Sequence, residues 1–284
     1  MPMKFHNPTA DLYVPDGLAP TDALARTTHL GIGAHQDDLE FMAFHGIVAC
    51  YGQSDQWFTG VTCTQGTGSA RTGPFAKHSN AEMQALRKAE QRAAAEIGQY
   101  GAILQLDYPS AEIRAVPAPR PEADLLSLLR ATRPHVLYTH NPADKHPTPI
   151  GVLQATLRAL RQLPASERPR KVYGCEVWRD LDWLSDADKC PLDVSGHEKL
   201  AQQLNQVFAS QIAGGKRYDL AIEGRRRANA TFFQSHSVDQ CQSLCFAMDL
   251  TPLIQDDTLT LADFITPFLK RFRDEVLQTL SANL

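Results

Sequence analysis

Apolar and polar positions alternate in blocks through the first two thirds of the chain. Short apolar runs that are typical of buried strands are each followed by polar residues, and longer segments with helical spacing come between them. This alternation predicts an α/β fold in which helices cover both faces of a mainly parallel sheet. The strand-like runs are THLGIGAH (28–35), WFTGVTCT (57–64), AILQLDY (102–108), HVLYTH (135–140) and KVYGCEVW (171–178).

The amphipathic segments between these runs are the predicted helices of the core. The clearest one is rich in alanine, with Asn80 as its candidate N-cap and Gly98 as the residue that ends it. The predicted core helices span residues 39–51, 80–97 and 150–163.

The pattern changes after Ser195. Two helix-like segments, 198–208 and 216–233, are followed by a mixed tail with no internal repeat. We therefore predict a single domain over residues 1–284, with its core over about 27–180 and a C-terminal helical extension over about 195–284.

Composition and charge narrow the classes of protein that the chain can belong to. The net charge of −4 gives no reason to expect nucleic acid or an anionic membrane as a partner. No apolar run is long enough to span a membrane, and the N-terminus lacks the apolar stretch of a secretory signal. The six cysteines form no C-x-x-C pair, so we expect reduced thiols in a cytoplasmic protein and no zinc site built on sulfur.

Polar side chains follow several of the predicted strands at the point where each strand ends. In open parallel sheets, ligands bind at the carboxyl ends of the strands, near the point where the strand order reverses. We therefore expect residues far apart in sequence to meet at one edge of the sheet. The residues that follow the successive strands are His35–Asp38, Thr64–Arg71, Tyr108–Ser110, His140–His146 and Trp178–Asp180.

The first cluster follows the strand that ends near Ala34. An imidazole and a carboxylate three residues apart, His35 and Asp38, can bind the same ion, and both suit zinc. Asp37 lies between them, where a carboxylate can take a proton from metal-bound water. In the alternative interpretation, Asp37 or Asp38 simply caps the following helix and His35 is a strand-end residue.

The second cluster contains His140, Asp144 and His146, again between a strand and a helix. A catalytic zinc commonly takes three protein ligands, so one of these histidines would complete a set begun by the first cluster. In the alternative interpretation, Asn141, Asp144 and Thr148 are turn and cap residues. That alternative explains the prolines of this segment but not its two histidines.

The motifs resemble those of the PIG-L-type N-acetylglucosaminyl de-N-acetylases, also called LmbE-like proteins. GAHQDDLEF (33–41) is similar to the family's A-H-P-D-D-E signature, and Arg87 and Glu90 match its R-x-x-E helix. YTHNPADKHPTPIG (138–151) takes the place of the second histidine motif. These matches occur in the family's order from Leu30 to about Leu163.

The resemblance implies a Rossmann-like sheet and a mononuclear zinc that hydrolyses an acetamido group on an amino sugar or glycoconjugate. It implies His35 and Asp38 as metal ligands and Asp37 as the general base. His146 would protonate the leaving amine. A His/Asp ligand set also accepts other first-row divalent ions.

Three positions depart from the family's pattern. Gln36 replaces the first proline, and the glutamate after the two aspartates is displaced from position 39 to Glu40. The third departure removes a ligand, because Pro149 stands where the last histidine of the family's H-x-x-H motif binds the metal. Either His146 or His140 would have to serve as third ligand. Otherwise the chain is a catalytically impaired sugar-binding or regulatory protein on the same fold.

Further residues are candidates for substrate binding. Arg71 follows a glycine-rich loop, while Arg87 could hold substrate or serve as an ion-pair partner. His140 and His236 are the remaining candidates. The consecutive arginines 225–227 cannot all face one ligand, so we interpret them as a solvated helix face.

A nucleotide-binding protein is a third interpretation. Gly31 and Gly33 begin a G-x-G-x-x-G pattern, but Gln36 stands in place of its third glycine.

Overall fold

The computed structural model describes residues 4–234 and 236–282. This part of the chain forms eight strands and twelve α-helices around one sheet. The strands are β1 (Asp11–Tyr13), β2 (His29–Gly33), β3 (Phe58–Thr64), β4 (Ala102–Tyr108), β5 (Val136–His140), β6 (Lys171–Cys175), β7 (Cys190–Asp193) and β8 (Leu244–Asp249). The helices are α1 (Pro20–Ala25), α2 (Asp38–Met42), α3 (Phe44–Cys50), α4 (Asn80–Ile97), α5 (Ser110–Ile113), α6 (Pro119–Thr132), α7 (Pro147–Arg161), α8 (Glu198–Val207), α9 (Ala209–Ile212), α10 (Tyr218–Phe232), α11 (Pro252–Gln255) and α12 (Leu261–Ala282).

The strand order is β1-β4-β3-β2-β5-β6-β8-β7. The five central strands, β4-β3-β2-β5-β6, are parallel, and the strands at both edges pair antiparallel. The chain winds outward from β2 to β4 and then returns to β5 on the other side of β2. The order therefore reverses between β2 and β5, which is where ligands bind in open α/β sheets.

Helices cover both faces of the sheet, as the sequence pattern predicts. On one face, Ile32 and Leu104 belong to a buried cluster that includes Leu128 of α6. On the other face, Leu39 and Ile47 pack in a second buried cluster. The α/β, mainly parallel fold is thus confirmed.

Helix α2 lies directly against the sheet because β3 has a glycine beneath it. A Cβ atom at Gly60 would lie 2.7 Å from Leu39 Cδ1 and 2.8 Å from Ile103 Cδ1. Leu39, the residue that departs from the family's glutamate, is fully buried there. This close approach fixes the start of α2, and with it the position of the preceding Asp38.

The structure differs from the sequence-based elements in several details. The predicted helix over 39–51 is two helices, α2 and α3, with a break at Ala43. Ser79, not Asn80, caps α4, because its side chain accepts a hydrogen bond from the Glu82 N–H and the Glu82 carboxylate accepts from the Ser79 N–H. The short strand β1 had no predicted counterpart.

The C-terminal extension is not only helical. Helices α8 and α10 confirm the two predicted segments, but β8 pairs antiparallel with β6 and β7 and so belongs to the main sheet. Strand and helix were not distinguished in this tail because a short apolar run such as LCFAMD fits either one. Within the described ranges, no helix combines the length and the apolar character needed to cross a membrane.

Replacing Gly151 by alanine should destabilise the protein. A Cβ atom there would lie 2.5 Å from the backbone oxygen of Ile113, and backbone has little freedom to move aside. This clash should outweigh the gain in helix propensity and lower the free energy of unfolding by roughly 1–2 kcal/mol. Gly224 of α10 is the matched control, because open space surrounds its Cβ position and alanine should add roughly 0.5–1 kcal/mol. Urea unfolding measures both variants, and a Gly151→Ala protein as stable as the parent would contradict the expected clash.

Candidate active site

The turn after β2 is organised by the Asp38 carboxylate. Its Oδ2 accepts hydrogen bonds from the backbone N–H groups of Ala34, at 2.9 Å, and of His35, at 2.7 Å. Burial alone would raise the pKa of Asp38, but the contacts with His35 and His140 hold it at about 2. Asp38 is therefore an anion inside the turn. Asp37 occupies the N-cap position of α2, as the alternative interpretation predicts, but its side chain makes no cap hydrogen bond.

Asp37 has an unusual backbone conformation. Its φ is 91° and its ψ is −29°, in a region that non-glycine residues rarely occupy. Two contacts hold it there: its N–H donates to Gln91 Oε1 at 3.1 Å, and its Oδ2 lies 3.3 Å from Arg87 Nη2. Burial raises the pKa of Asp37 well above its ordinary value, and the Arg87 guanidinium opposes this increase. Strain of this kind, of order 1–3 kcal/mol, is typically found at functional sites.

The Arg87 and Glu90 pair of α4 connects three parts of the site. The buried Arg87 donates to the Gln36 carbonyl and, at 2.6 Å, to Ser69 Oγ in the glycine-rich loop. Glu90 accepts from the Ser210 N–H at 2.7 Å and from the Ser210 hydroxyl at 2.6 Å, at the start of α9. Arg87 also lines the cavity described below; the structure shows it as an ion-pair partner of Asp37, and its role in substrate binding stays a prediction.

The segment after β5 is a turn that leads into α7. The two carboxylate oxygens of Asp144 accept from the His146 N–H at 3.0 Å and from the Trp178 N–H at 3.2 Å. His146 caps α7, since its Nδ1 accepts from the Thr148 N–H at 3.2 Å. In the neutral ring the proton then lies on Nε2, which remains free to donate. The turn interpretation of Asp144 is thus confirmed.

His140 lies at the end of β5 with no exposed surface. Its Nε2 accepts a hydrogen bond from the Ala34 N–H at 2.9 Å and is 3.5 Å from Asp38 Oδ2. Burial lowers the pKa of His140, which favours the neutral ring that this bond requires. Among the described residues, its Nδ1 has no hydrogen-bond partner. His140 therefore packs behind the turn and is not part of the cavity wall.

The clusters after β2 and β5 meet at a cavity of about 650 Å³. His35, Asp37 and Asp38 lie at its head, and the His35 ring centroid is 5.6 Å from that of His146. This volume falls within the range of small-molecule sites, about 300–1,000 Å³. The predicted convergence of these strand ends on one edge of the sheet is confirmed.

Aromatic side chains form one wall of the cavity. Trp178 stacks on His146 with centroids 5.6 Å apart, and Tyr218 of α10 lies at 6.0 Å from Trp178 and 5.5 Å from Phe41. Burial, together with Asp37 and Asp38, raises the pKa of Tyr218 to about 12. The sequence analysis missed Tyr218, because nothing in its local pattern separates it from an ordinary helix-start residue.

Two predicted substrate residues lie away from this cavity. Arg71 donates to the carbonyl oxygens of Thr67 and His78 and to Asn80 Oδ1, so three of its five N–H donors are used within its own loop. His236 is exposed on the segment after α10. Neither lines the cavity, and their roles in substrate binding stay predictions.

Comparison with protein families matches residues 30–160 to PIG-L, the GlcNAc-PI de-N-acetylases. Residues 30–160 are a PIG-L domain. The match confirms the resemblance drawn from the two histidine motifs and the R-x-x-E helix. The comparison with curated proteins returns no match.

Solved structures share the fold over most of the chain. They include the 4-carboxy-2-hydroxymuconate hydratase GalB from Pseudomonas putida KT2440, at 18% identity and a TM-score of 0.60, covering 79% of this chain and 95% of that one. The N,N'-diacetylchitobiose deacetylase from Pyrococcus horikoshii is 17% identical, with a TM-score of 0.60, covering 82% and 86%. The zinc-inhibited form of teicoplanin deacetylase Orf2 is 13% identical, with a TM-score of 0.54, covering 78% and 97%. Because a hydratase and deacetylases share it, the fold alone does not select the reaction.

The donor atoms of this PIG-L domain do not form a three-ligand zinc site as they stand. His35 Nδ1 lies 3.5 Å from Asp38 Oδ2, and these two atoms are adjacent potential metal-donor atoms. His140 Nε2 is occupied by the Ala34 N–H, and the buried Pro149 has no donor side chain. Over residues 4–234 and 236–282, no group of three His, Cys, Asp or Glu side chains is arranged to hold an ion. His146 as third ligand stays a prediction.

Replacing Pro149 by histidine should create a zinc site. Position 149 is three residues after His146 at the start of α7, so the new imidazole would lie on the same side of the helix as His146, whose ring centroid is 5.6 Å from that of His35. We expect the purified variant to hold about one zinc per chain, because a third ligand closes the usual set. Elemental analysis and the visible absorption of added cobalt measure this occupancy.

Pro149→Ala is the matched control, since it removes the proline without adding a donor. We expect this control and the parent to hold far less metal than the histidine variant. Full zinc occupancy in the parent that is lost in both His35→Ala and His146→Ala would instead assign His146 as the third ligand.

Proposed function

We propose that the protein hydrolyses an acetyl or related acyl group from the nitrogen of an amino sugar or glycoconjugate. The observation that carries this proposal is the placement of Asp37 and His146 at one cavity, at the carboxyl ends of β2 and β5, within a PIG-L domain. A base and a proton donor that face the same cavity are what amide hydrolysis requires.

Asp37 is the proposed general base. Its carboxylate would take a proton from the attacking water as the water oxygen bonds to the acyl carbon. The raised pKa of Asp37, caused by burial, makes its carboxylate a stronger base than an exposed aspartate. Arg87 would orient this carboxylate through the contact at 3.3 Å.

His146 is the proposed proton donor. Its Nε2–H is free because the Thr148 N–H occupies Nδ1. As the C–N bond breaks, this group would give a proton to the leaving nitrogen, so that the products are an amine and a carboxylic acid. Trp178, which stacks on the His146 ring, would keep it facing the cavity.

The aromatic wall supports a sugar-like substrate. Trp178 and Tyr218 offer flat apolar surfaces with polar tips, which suit a ring that has C–H faces and hydroxyl edges. All six cysteines are free thiols, which supports the cytoplasm as the proposed compartment. Zinc as the cofactor stays a prediction, because the present donor arrangement does not supply it with three ligands.

A second candidate function is sugar binding without turnover. Pro149, at the position of the family's third metal ligand, is the observation that favours it. A binding protein would keep the cavity and its aromatic wall but release no acid.

Substituting Asp37 by asparagine should separate these two functions. We expect release of acetate and free amine from N-acetylglucosamine or N,N'-diacetylchitobiose by the parent, and a loss of about 10²–10⁴-fold in the variant, because the amide cannot accept the proton. Sugar binding, followed by calorimetry, should survive this nearly isosteric change.

The exposed Asp55 provides the matched control, since Asp55→Asn removes a carboxylate outside the cavity and should leave activity unchanged. Reactions should be run with and without added zinc. If the parent binds sugar but releases no acid under either condition, the proposed hydrolase activity is contradicted and the proposed sugar-binding function is supported.

A further inference from the structure

The wall of the cavity carries three cationic side chains from separate segments. Arg114 follows α5, Lys216 precedes α10, and Arg225 lies on α10 two turns after Tyr218. The whole chain has a net charge of −4, so this local excess of positive charge does not reflect its composition. The sequence analysis interpreted Arg225 as part of a solvated face, and its position on the cavity wall corrects that interpretation.

Within the described ranges, none of these three cations has a carboxylate oxygen within 4 Å, although the charge of Arg225 also acts on the buried Glu176, and two neighbouring arginines outside the cavity do form ion pairs. Arg217, next to Lys216, pairs with Asp219 at 2.8 Å, and Arg227 pairs with Glu223 at 3.6 Å. In the cavity itself, Arg87 is paired with Asp37. The cavity wall thus carries three positive charges that no ion pair within 4 Å balances, whereas the buried Arg226 beside them, outside the cavity, donates to the carbonyl oxygens of Glu40 and Phe41.

Arg225 is held in place with donors to spare. The half-buried side chain donates from Nη1 to the carbonyl oxygen of Val177, another residue of the cavity wall. A guanidinium has five N–H donors in a planar fork, so others remain for a ligand. This fork matches the oxygen spacing of a carboxylate or a phosphate.

The acidic groups of the cavity are confined to its head. Asp38 is held by two backbone N–H groups and Asp37 by Arg87, so neither neutralises the other cations. Arg114 lies near His146, where its charge adds to the effects of burial and of His35 in lowering the pKa of that ring. The cavity therefore combines a hydrolytic head with a cationic wall.

We propose that the substrate carries an anionic group, a phosphate or a carboxylate, which Arg114, Lys216 and Arg225 bind while the N-acyl group faces Asp37 and His146. This assignment deepens the proposed function and rests on the same cavity being the substrate site. A neutral amino sugar would leave the three cations without a partner, whereas an anionic one would form charge-assisted hydrogen bonds with them.

Calorimetry with matched sugars tests the proposal. The probes are N-acetylglucosamine, its 6-phosphate, N-acetylmuramic acid as the carboxylate counterpart, and inorganic phosphate alone. We expect at least one charged sugar to bind about tenfold or more tightly than the neutral one, with an advantage that shrinks as salt increases. Comparing the affinities of the phosphate-bearing and carboxylate-bearing sugars shows which anion the cavity wall prefers.

Variants assign the effect to the wall. Arg225→Gln and Lys216→Gln should each lose most of the advantage of the charged sugar. Arg217→Gln and Arg227→Gln remove paired cations from the same segment and should keep it. Lys216 is exposed and makes no hydrogen bond through its side chain within the described residues, so its variant stays informative if Arg225→Gln folds poorly.

Equal affinity for neutral and charged sugars would overturn the proposal, as would an equal loss in the control variants or the absence of binding by every charged probe. Acid release is measured separately. A preference for charged sugars without acid release would support the proposed anion-binding site and contradict the proposed hydrolase activity. Acid release from neutral and charged sugars alike, without a difference in affinity, would contradict the anion-binding site and support the hydrolase activity.

Discussion

The hydrogen bonds that the Asp38 carboxylate accepts from Ala34 and His35 are the constraint on which the site depends. At 2.9 and 2.7 Å they are charge-assisted bonds in a buried environment, each worth roughly 1.5–3 kcal/mol. They turn the chain sharply at the end of β2 and place α2 directly above the sheet. Both the exposed edge of His35 and the strained backbone of Asp37 follow from this turn.

A second layer of buried polar contacts keeps that turn rigid. Gln36, which stands in place of the family's proline, donates to the Thr64 carbonyl at 3.1 Å and so ties the turn to the end of β3. Glu40 accepts from Gln91 at 2.8 Å and from Tyr100 at 2.7 Å, and Gln91 in turn accepts from the Asp37 N–H. Burial raises the pKa of Glu40 to about 7. The hydrogen bond of the Gln36 side chain thus restrains the turn, as a proline ring at this position would.

The sequence predicted the part of this structure that rests on local pattern. The central strands, the helix α4 and the meeting of the β2 and β5 loops all follow from periodicity and from the geometry of parallel sheets. The cavity wall did not follow, because Tyr218 and Arg225 reach it only through the packing of α10 against β8 and the neighbouring helices. Arg226, between two arginines of very different exposure, is buried with its guanidinium 4.3 Å from the Phe44 ring. A run of like charges cannot reveal such a division without the tertiary contacts.

The PIG-L domain here separates two properties that the family's motifs usually combine. The groups proposed to handle protons, Asp37 and His146, are held by hydrogen bonds within the protein: the Asp37 N–H donates to Gln91 Oε1, and His146 Nδ1 accepts from the Thr148 N–H. The ligand set, by contrast, is incomplete at Pro149, and His140 is committed to the backbone of Ala34. The wall of the cavity carries positive charge on Arg114, Lys216 and Arg225. Arg114 directly follows α5, Lys216 precedes α10 and Arg225 lies on α10, all outside the motifs that identify the family, so the proposed substrate preference and the proposed proton transfers depend on different parts of the chain.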